Sequence, residues 1–178
     1  MRCSKGTEVV SVRNLLRAAG QEDAFVARLS PDEVDPYRET LAVVWVPVDF
    51  VARVFELAAA ELYVGEGRPL RQLGRALAKD NLTGIYRVML RIVSIPFAIQ
   101  HAASLWHTYN DTGEVGIERM GDRLQMTVSG YPAFPEAALE ECAGYTEGLM
   151  LMCGARNIEV KTSRPTHDAF AFDCSWRA

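Results

Sequence analysis

Apolar residues recur at helical intervals through the first 109 positions of this chain and then at alternate positions. Val9, Val12, Leu15, Leu16 and Ala19 share one helical face, which Gly20 ends. Ser30-Pro31-Asp32-Glu33 has the form of a capping box, and Asp35-Pro36 is a second start signal. The helix beginning there is expected to reach Val44 or Trp45 before Pro47 stops it. Asp49 caps a further helix to Tyr63, with Phe50, Val54, Leu57 and Ala58 on one face. Pro69 begins another through Lys79, Asn81–Gly84 reads as a break, and a short helix follows to Ile92. Ser94, two residues before Pro96, opens the last helix of this half, which ends near Tyr109.

From Asn110 the period is two. Glu114–Arg119 and Arg123–Ser129 predict two strands around Met120-Gly121-Asp122. In the second, Leu124, Met126 and Val128 alternate with polar residues, so one face is dry. Glu136–Cys153 predicts a helix closed by Gly154. Asn157–Thr162 and Ala169–Trp176 predict two more strands, the last with Phe170, Phe172, Cys174 and Trp176 on one face. The fold class expected is α+β: N-terminal helices over residues 1–109, then an antiparallel four-stranded β-β-α-β-β sheet over residues 110–178, with helices covering one face. At 178 residues this suits one ligand-binding-like domain spanning residues 1–178.

Composition narrows the role. Hydrophobic residues make up 49% and charged residues 24%, and the net charge is -4 with a pI near 5.4. A mildly acidic surface repels phosphate backbones, so no nucleic-acid partner is expected. Arg68, Arg71, Arg75 and Lys79 cluster, and they read as a solvated helix face. The longest apolar candidate, Ile92–Ala103, is broken by Ser94, Pro96, Gln100 and His101, so no membrane span is expected. The start, MRCSKGTE, has no apolar stretch after its basic residues, and the expectation is a cytoplasmic protein. Cys3, Cys142, Cys153 and Cys174 show no metal spacing. Cys142 and Cys153 fall about 16 Å apart along one helix, too far to bridge.

Reactive constellations are scarce. His101 and His107 lie six apart on one helix and do not form a metal-binding pair. No G-x-S-x-G elbow, phosphate loop or G-x-G-x-x-G occurs. Glu140 and Glu141 are adjacent on a helix, point about 100° apart and read as solvated, while Cys142 reads as a structural thiol. Gly144 and Gly148, four apart, allow close approach of a backbone or a flat ligand. Leu139, Cys142, Thr146, Leu149 and Cys153 form a stripe expected to lie on the sheet. The aromatics Phe97, Trp106, Tyr109, Tyr131, Phe134 and Tyr145 come from neighbouring elements and suit an apolar cavity with a few polar tips. Met150 and Met152 add adaptable surface.

The segments W-H-T-Y-N-D-T-G (Trp106–Gly113), G-Y-P (Gly130–Pro132), C-A-G-Y-T-E-G (Cys142–Gly148) and F-D-C-S-W (Phe172–Trp176) resemble a superfamily of ligand-binding domains. It includes the 4-vinyl-reductase domain, small subunits of the TRAPP vesicle-tethering complex and, distantly, haem nitric-oxide-binding domains. Within it the likeness is greatest to deltaproteobacterial and myxobacterial proteins of about this length. The resemblance implies an α+β fold that often dimerises through its N-terminal helices and encloses a hydrophobic pocket. Members use that pocket for aromatic compounds, tetrapyrrole chemistry or an acyl chain on a cysteine, and some hold zinc around the last helix and hairpin. Cys142 matches the first zinc position, but Phe170 and Thr166 or His167 stand where the others would be, so no metal is expected. No catalytic residue carries over.

The function expected from residues and resemblance together is a non-catalytic, regulatory domain binding a small apolar or aromatic molecule, as a homodimer and with no cofactor. Phe97, His101, Trp106, Tyr109, Tyr131, Tyr145 and Met150 would line its pocket. The alternatives are an interaction module with a vestigial pocket, recruiting a partner protein, and, behind it, an enzyme or carrier acting on a tetrapyrrole.

Overall fold

The computed structural model describes residues 2–83 and 95–177. It is α+β, with seven helices among the described residues and two antiparallel sheets. The helices are α1 (Thr7–Ala18), α2 (Glu22–Val26), α3 (Pro31–Glu39), α4 (Val48–Leu62), α5 (Pro69–Thr83), α6 (Ile95–Tyr109) and α7 (Glu136–Met152). The strands are β1 (Cys3–Lys5), β2 (Trp45–Pro47), β3 (Glu114–Met120), β4 (Arg123–Ser129), β5 (Arg156–Thr166) and β6 (Ala169–Arg177). The larger sheet runs β3-β4-β6-β5 and the smaller pairs β1 with β2. The short helix expected to end at Ile92 lies outside the described residues.

Two differences from the sequence reading follow from long-range pairing. The helix expected to run to Val44 or Trp45 stops at Glu39, where the Thr40 hydroxyl donates to Pro36 O at 2.5 Å. The chain beyond it is pulled straight by β1, with Cys3 opposite Pro47 and Lys5 opposite Trp45. No local pattern announces a three-residue strand whose partner lies forty residues away.

Apolar burial forms two cores. One gathers Val9, Val12 and Leu16 of α1 with Phe25, Tyr37 and the inner faces of α4 and α5. The other gathers α7 and the dry face of the sheet, including Val128, Val160, Phe170, Phe172, Cys174 and Trp176, together with Trp106, Tyr131 and Phe134. Leu70 borders both.

The joint between the cores is the α5–α7 contact. A Cβ on Gly144 would fall 2.2 Å from Arg71 O, and one on Gly74 would fall 2.1 Å from Glu141 O. One on Gly148 would fall 2.8 Å from the Ala78 Cβ. The two helices therefore touch backbone to backbone, and the glycines of α7 serve helix–helix packing against α5. Arg71 crosses this contact. Its Nε donates to Glu140 at 2.8 Å, and its Nη1 donates to Glu147 at 2.8 Å and to Val160 O of β5 at 2.6 Å. Arg75 donates to the second oxygen of Glu147 at 2.7 Å. Arg71 is 4% exposed, so the basic cluster is not a solvated face: its central guanidinium is an interior clamp.

Replacing Arg71 with Met should therefore destabilise the fold by about 3–5 kcal/mol, because Glu147 is left buried with only Arg75 to answer it. Gly144→Ala should cost about 1–3 kcal/mol by overpacking, despite about 1 kcal/mol gained in helix propensity. Gly116→Ala, whose Cβ meets nothing nearer than Thr127 O at 4.0 Å, should stay within about 0.5 kcal/mol. Urea unfolding of the three variants measures all of this; equal losses at Gly144 and Gly116 would remove the close-contact account.

Candidate functional site

The Trp106–Gly113 segment ends α6 and ties it to the N-terminus. The Trp106 indole donates to Thr112 O at 2.9 Å. The Cys3 amide donates to the Asp111 carboxylate at 2.8 Å, and the Ser4 hydroxyl donates to Asn110 Oδ1 at 3.0 Å. Gly113 holds a φ of 96°, and a Cβ there would fall 2.7 Å from Val128. Arg2 donates to the carbonyls of Pro132 and Ala133, which anchors the loop bearing Tyr131 and Phe134.

Four of the aromatics fill space rather than enclose it. Phe134 stacks on Phe170 at 4.4 Å between ring centroids, and Tyr131 meets Phe134 edge-on at 4.8 Å. Trp106 lies 5.9 Å from Phe134 and 5.7 Å from Phe170. Of the other expected lining residues, Met150 is buried in the sheet-side core, while His101, Tyr109 and Tyr145 are half-buried. The side chain of Phe97 lies outside the described residues.

A different group of side chains meets where the two cores join. Glu8 and Ser11 are three apart on α1, and Glu141 and Tyr145 are four apart on α7, so each pair shares a helical face. Cys142 packs against the sheet-side core and Tyr145 against the helical core. Ser11 donates to Asn81 Oδ1 of α5 at 2.7 Å. The Asn81 amide in turn donates to the Tyr145 oxygen. The Cys142 thiol donates to the Glu141 carboxyl. Glu8 and Cys142 are half-buried beside the fully buried Glu141.

The electrostatics of this group are unusual. Burial pushes the Glu8 carboxyl up to about 8. Burial, and then the Glu8 charge, push Glu141 well above the ordinary carboxylate range. Burial and the same two carboxyls hold Cys142 as a thiol. Burial raises Tyr131 too, with smaller upward pushes from Asp111, Cys142 and Glu8 and a downward one from Arg2. The Tyr131 hydroxyl is therefore within electrostatic reach of Asp111, Cys142 and Glu8. It is buried and has no hydrogen-bond partner.

Glu141 is 4% exposed, so its reading as solvated is corrected; Glu140 is half-buried and bound to Arg71. One signal in the sequence pointed this way. Helix α7 carries Ala137, Ala138, Ala143, Gly144 and Gly148 among its apolar residues, and a helix so small and apolar all round is enclosed on every side. Glu8 gave no such signal, since only the arrival of α7 buries it. Thr146, Leu149 and Cys153, expected to lie on the sheet, remain half-buried.

No family model matches the chain, and no curated protein matches it. Solved structures do. An Fe(II) unliganded H-NOX protein from K. algicida shares the fold at a TM-score of 0.67 and 10% identity, over 98% of this chain and 97% of that one. An H-NOX protein from S. oneidensis in the Fe(II)NO ligation state matches at 0.65 and 10%, over 98% and 99%. An oxygen-binding H-NOX domain related to soluble guanylate cyclases matches at 0.62 and 11%, over 97% and 93%. The chain thus has the fold of H-NOX domains. Of the relationships its motifs imply, the one to haem nitric-oxide-binding domains is carried by fold, and those to 4-vinyl-reductase and TRAPP subunits by short motifs alone. The expected partner, a small apolar or aromatic molecule, is corrected by the same finding: the proteins sharing this fold are described with iron, oxygen and nitric oxide. No described helix is long and apolar enough to cross a membrane.

The raised Glu8 carboxyl has a definite effect on stability. Its folded value of about 8 exceeds its ordinary 4.5, so the folded protein binds the proton more tightly than the unfolded chain. The stability it contributes is complete below about 4.5 and is lost as the pH rises towards about 8. Unfolding free energy should fall by ~2–4 kcal/mol between these limits, and the fall should be clearly smaller in Glu8→Gln. Urea midpoints across that range test this; a wild-type curve no steeper than that of the variant would count against a buried, protonated Glu8.

Proposed function

We propose that this chain is a small-molecule-sensing domain that holds its ligand in the chamber between α1, α5 and α7. One observation carries the reading: the chain shares its fold over nearly its whole length with H-NOX domains, and the half-buried Glu8 and Cys142 stand with the buried Glu141 at the joint of its two cores. Sensing rather than turnover is supported by the state of the groups there. A nucleophile needs its deprotonated form near neutral pH, whereas burial keeps the Cys142 thiol and the Tyr145 phenol protonated. The H-NOX fold supports the same class of role, since its solved examples are described with bound diatomic ligands.

The haem of that fold does not fit these walls. Haem iron takes a neutral imidazole or thioether, a thiolate or a phenolate, and the macrocycle lies in an apolar slot. His101 supplies an imidazole on α6. Cys142, Tyr131 and Tyr145 are held in their protonated forms and offer no anionic ligand. A flat apolar ring over Glu8 and Glu141 would strip two carboxyls of water and give no hydrogen bond in return.

Two measurements test the proposal. Native mass spectrometry, on protein as purified and after incubation with the small-molecule fraction of a cell extract, should show one small adduct per chain. Cys142→Phe, which fills the chamber, should lose it. A bare chain mass in every condition would overturn the reading. Titration with haemin should give no stoichiometric Soret band, and a saturable band at one haem per chain would restore haem as the ligand.

A further inference from the structure

The end of the larger sheet that carries the β3–β4 turn gathers arginines from all four strands. Arg119 lies at the end of β3, Arg123 begins β4, Arg156 begins β5 and Arg177 ends β6. In register, Arg123 lies opposite Ser175 and Arg156 opposite Arg177. Arg123, Arg156 and Arg177 therefore share one face across three adjacent strands. An open groove of about 410 Å³ runs through this end, lined by Met120, Asp122, Arg123, Asn157, Ser175 and Arg177 together with Trp176. The Arg119 guanidinium lies 6.0 Å from the Trp176 ring centroid, and its Nε donates to Gly121 O at 3.1 Å. The Trp176 amide donates to Asp122 O at 3.2 Å, which holds the turn against β6.

Four positive charges meet here in a chain whose net charge is -4. Among the described residues none of the four arginines has an ion-pair partner. Residues 84–94 and the two end positions contain no aspartate or glutamate that could supply one. Of the described residues lining the groove, Asp122 alone is acidic. Of the carboxylates further along this face, Glu159 pairs with Lys161 at 3.3 Å, Asp173 accepts from Gln125 at 2.6 Å, and Glu118 stands opposite Gln125. The placing of Arg156 against Arg177 is an observation of its own, because like charges directly opposite on paired strands destabilise a sheet. Beside them the ladder slips between Arg156 and Glu159, and Asn157 holds a φ of 50°. Bulges of this kind re-aim side chains and are frequent next to functional sites. An anion held between the guanidiniums offsets the repulsion.

Guanidinium forks match phosphoryl oxygens in pairs, and several of them together suit a dianion better than a single charge. The groove has the size of a small-molecule site, which runs from about 300 to 1,000 Å³, so it has room for an organic group as well as a phosphate. Met120, 76% exposed on the groove's rim, offers that group an apolar contact. We propose that this groove binds a small phosphomonoester, with Arg123 and Arg177 donating to the phosphoryl oxygens, Arg119 and Arg156 adding charge from the flanking strands, and Met120 packing on the organic part. The site uses none of the residues of the sensing reading, so each stands or falls alone.

The test uses the full chain with phenyl phosphate, which carries a charge of about -2 near pH 7.5. Phenyl sulfate keeps its shape with a single charge, inorganic phosphate lacks the ring, and phenol lacks the anion. Isothermal titration calorimetry should show one phenyl phosphate per chain, with phenyl sulfate and inorganic phosphate each about fivefold weaker or more and phenol unbound. Amide NMR shifts should gather at Arg123, Asn157, Ser175 and Arg177. Arg123→Gln and Arg177→Gln should each weaken phenyl phosphate about fivefold or more. Arg38→Gln, at an exposed position on α3, should change it less than about twofold. Because Arg177 faces a like charge, the urea midpoint of ligand-free Arg177→Gln should equal or exceed that of the wild type. Absence of phenyl phosphate binding, sulfate bound as tightly as phosphate, or shifts gathered elsewhere would each overturn the proposal. So would an equal loss in Arg38→Gln, which marks a diffuse ionic effect, tighter binding of an oligothymidylate, which marks a nucleic-acid surface, or a lowered urea midpoint in Arg177→Gln, which makes that arginine a structural support.

Discussion

The architecture depends on two helices being able to touch. Helices α5 and α7 meet backbone to backbone at Gly74 and Gly144, with only the Ala78 methyl set against Gly148. Such contact removes the cushion of side chains that usually sets helix spacing at about 8–10 Å. It brings Arg71 close enough to bind two carboxylates of α7 and a carbonyl of β5 at once. One guanidinium thereby registers α5, α7 and the sheet against each other. Replacing any of the three glycines forces the helices apart and loosens the clamp in the same movement.

Everything described at the candidate site follows from that registration. Because α7 is pinned on its Glu140–Glu147 side, its Glu141–Tyr145 side is held against α1 and the end of α5. Ser11, Asn81 and Tyr145 then join three helices through two hydrogen bonds. The same close packing leaves Glu141 4% exposed, and burial raises both carboxyls above their ordinary range. Compensated charge lies on one side of α7 and, on the other, carboxyl groups with no ion-pair partner among the described residues. The first arrangement holds the fold together, and the second is tolerated only because protonation is cheaper than unpaired ionisation in a dry interior.

This polarity also separates the chain from the proteins whose fold it shares. H-NOX structures are described with iron and diatomic gases. Here the aromatic residues that invite a hydrophobic pocket, Trp106, Tyr131, Phe134 and Phe170, stack on one another and close the space between α6 and the sheet. A fold fixes where a chamber can form; the side chains lining it decide what enters.

Periodicity alone determined the α+β class, the positions of most helices and the four strands of the larger sheet, because each depends on residues three, four or two apart along the chain. It also marked Phe170, Phe172, Cys174 and Trp176 as one buried face. Three things were decided only in three dimensions. The β1–β2 pair arises between segments about forty residues apart, and its strands are too short to show a period. Arg71 reads as a surface residue until Glu140, Glu147 and Val160 arrive from other elements to receive it. Glu141 reads as solvated for the same reason: a carboxyl's environment belongs to whatever packs over it, and no local spacing records that.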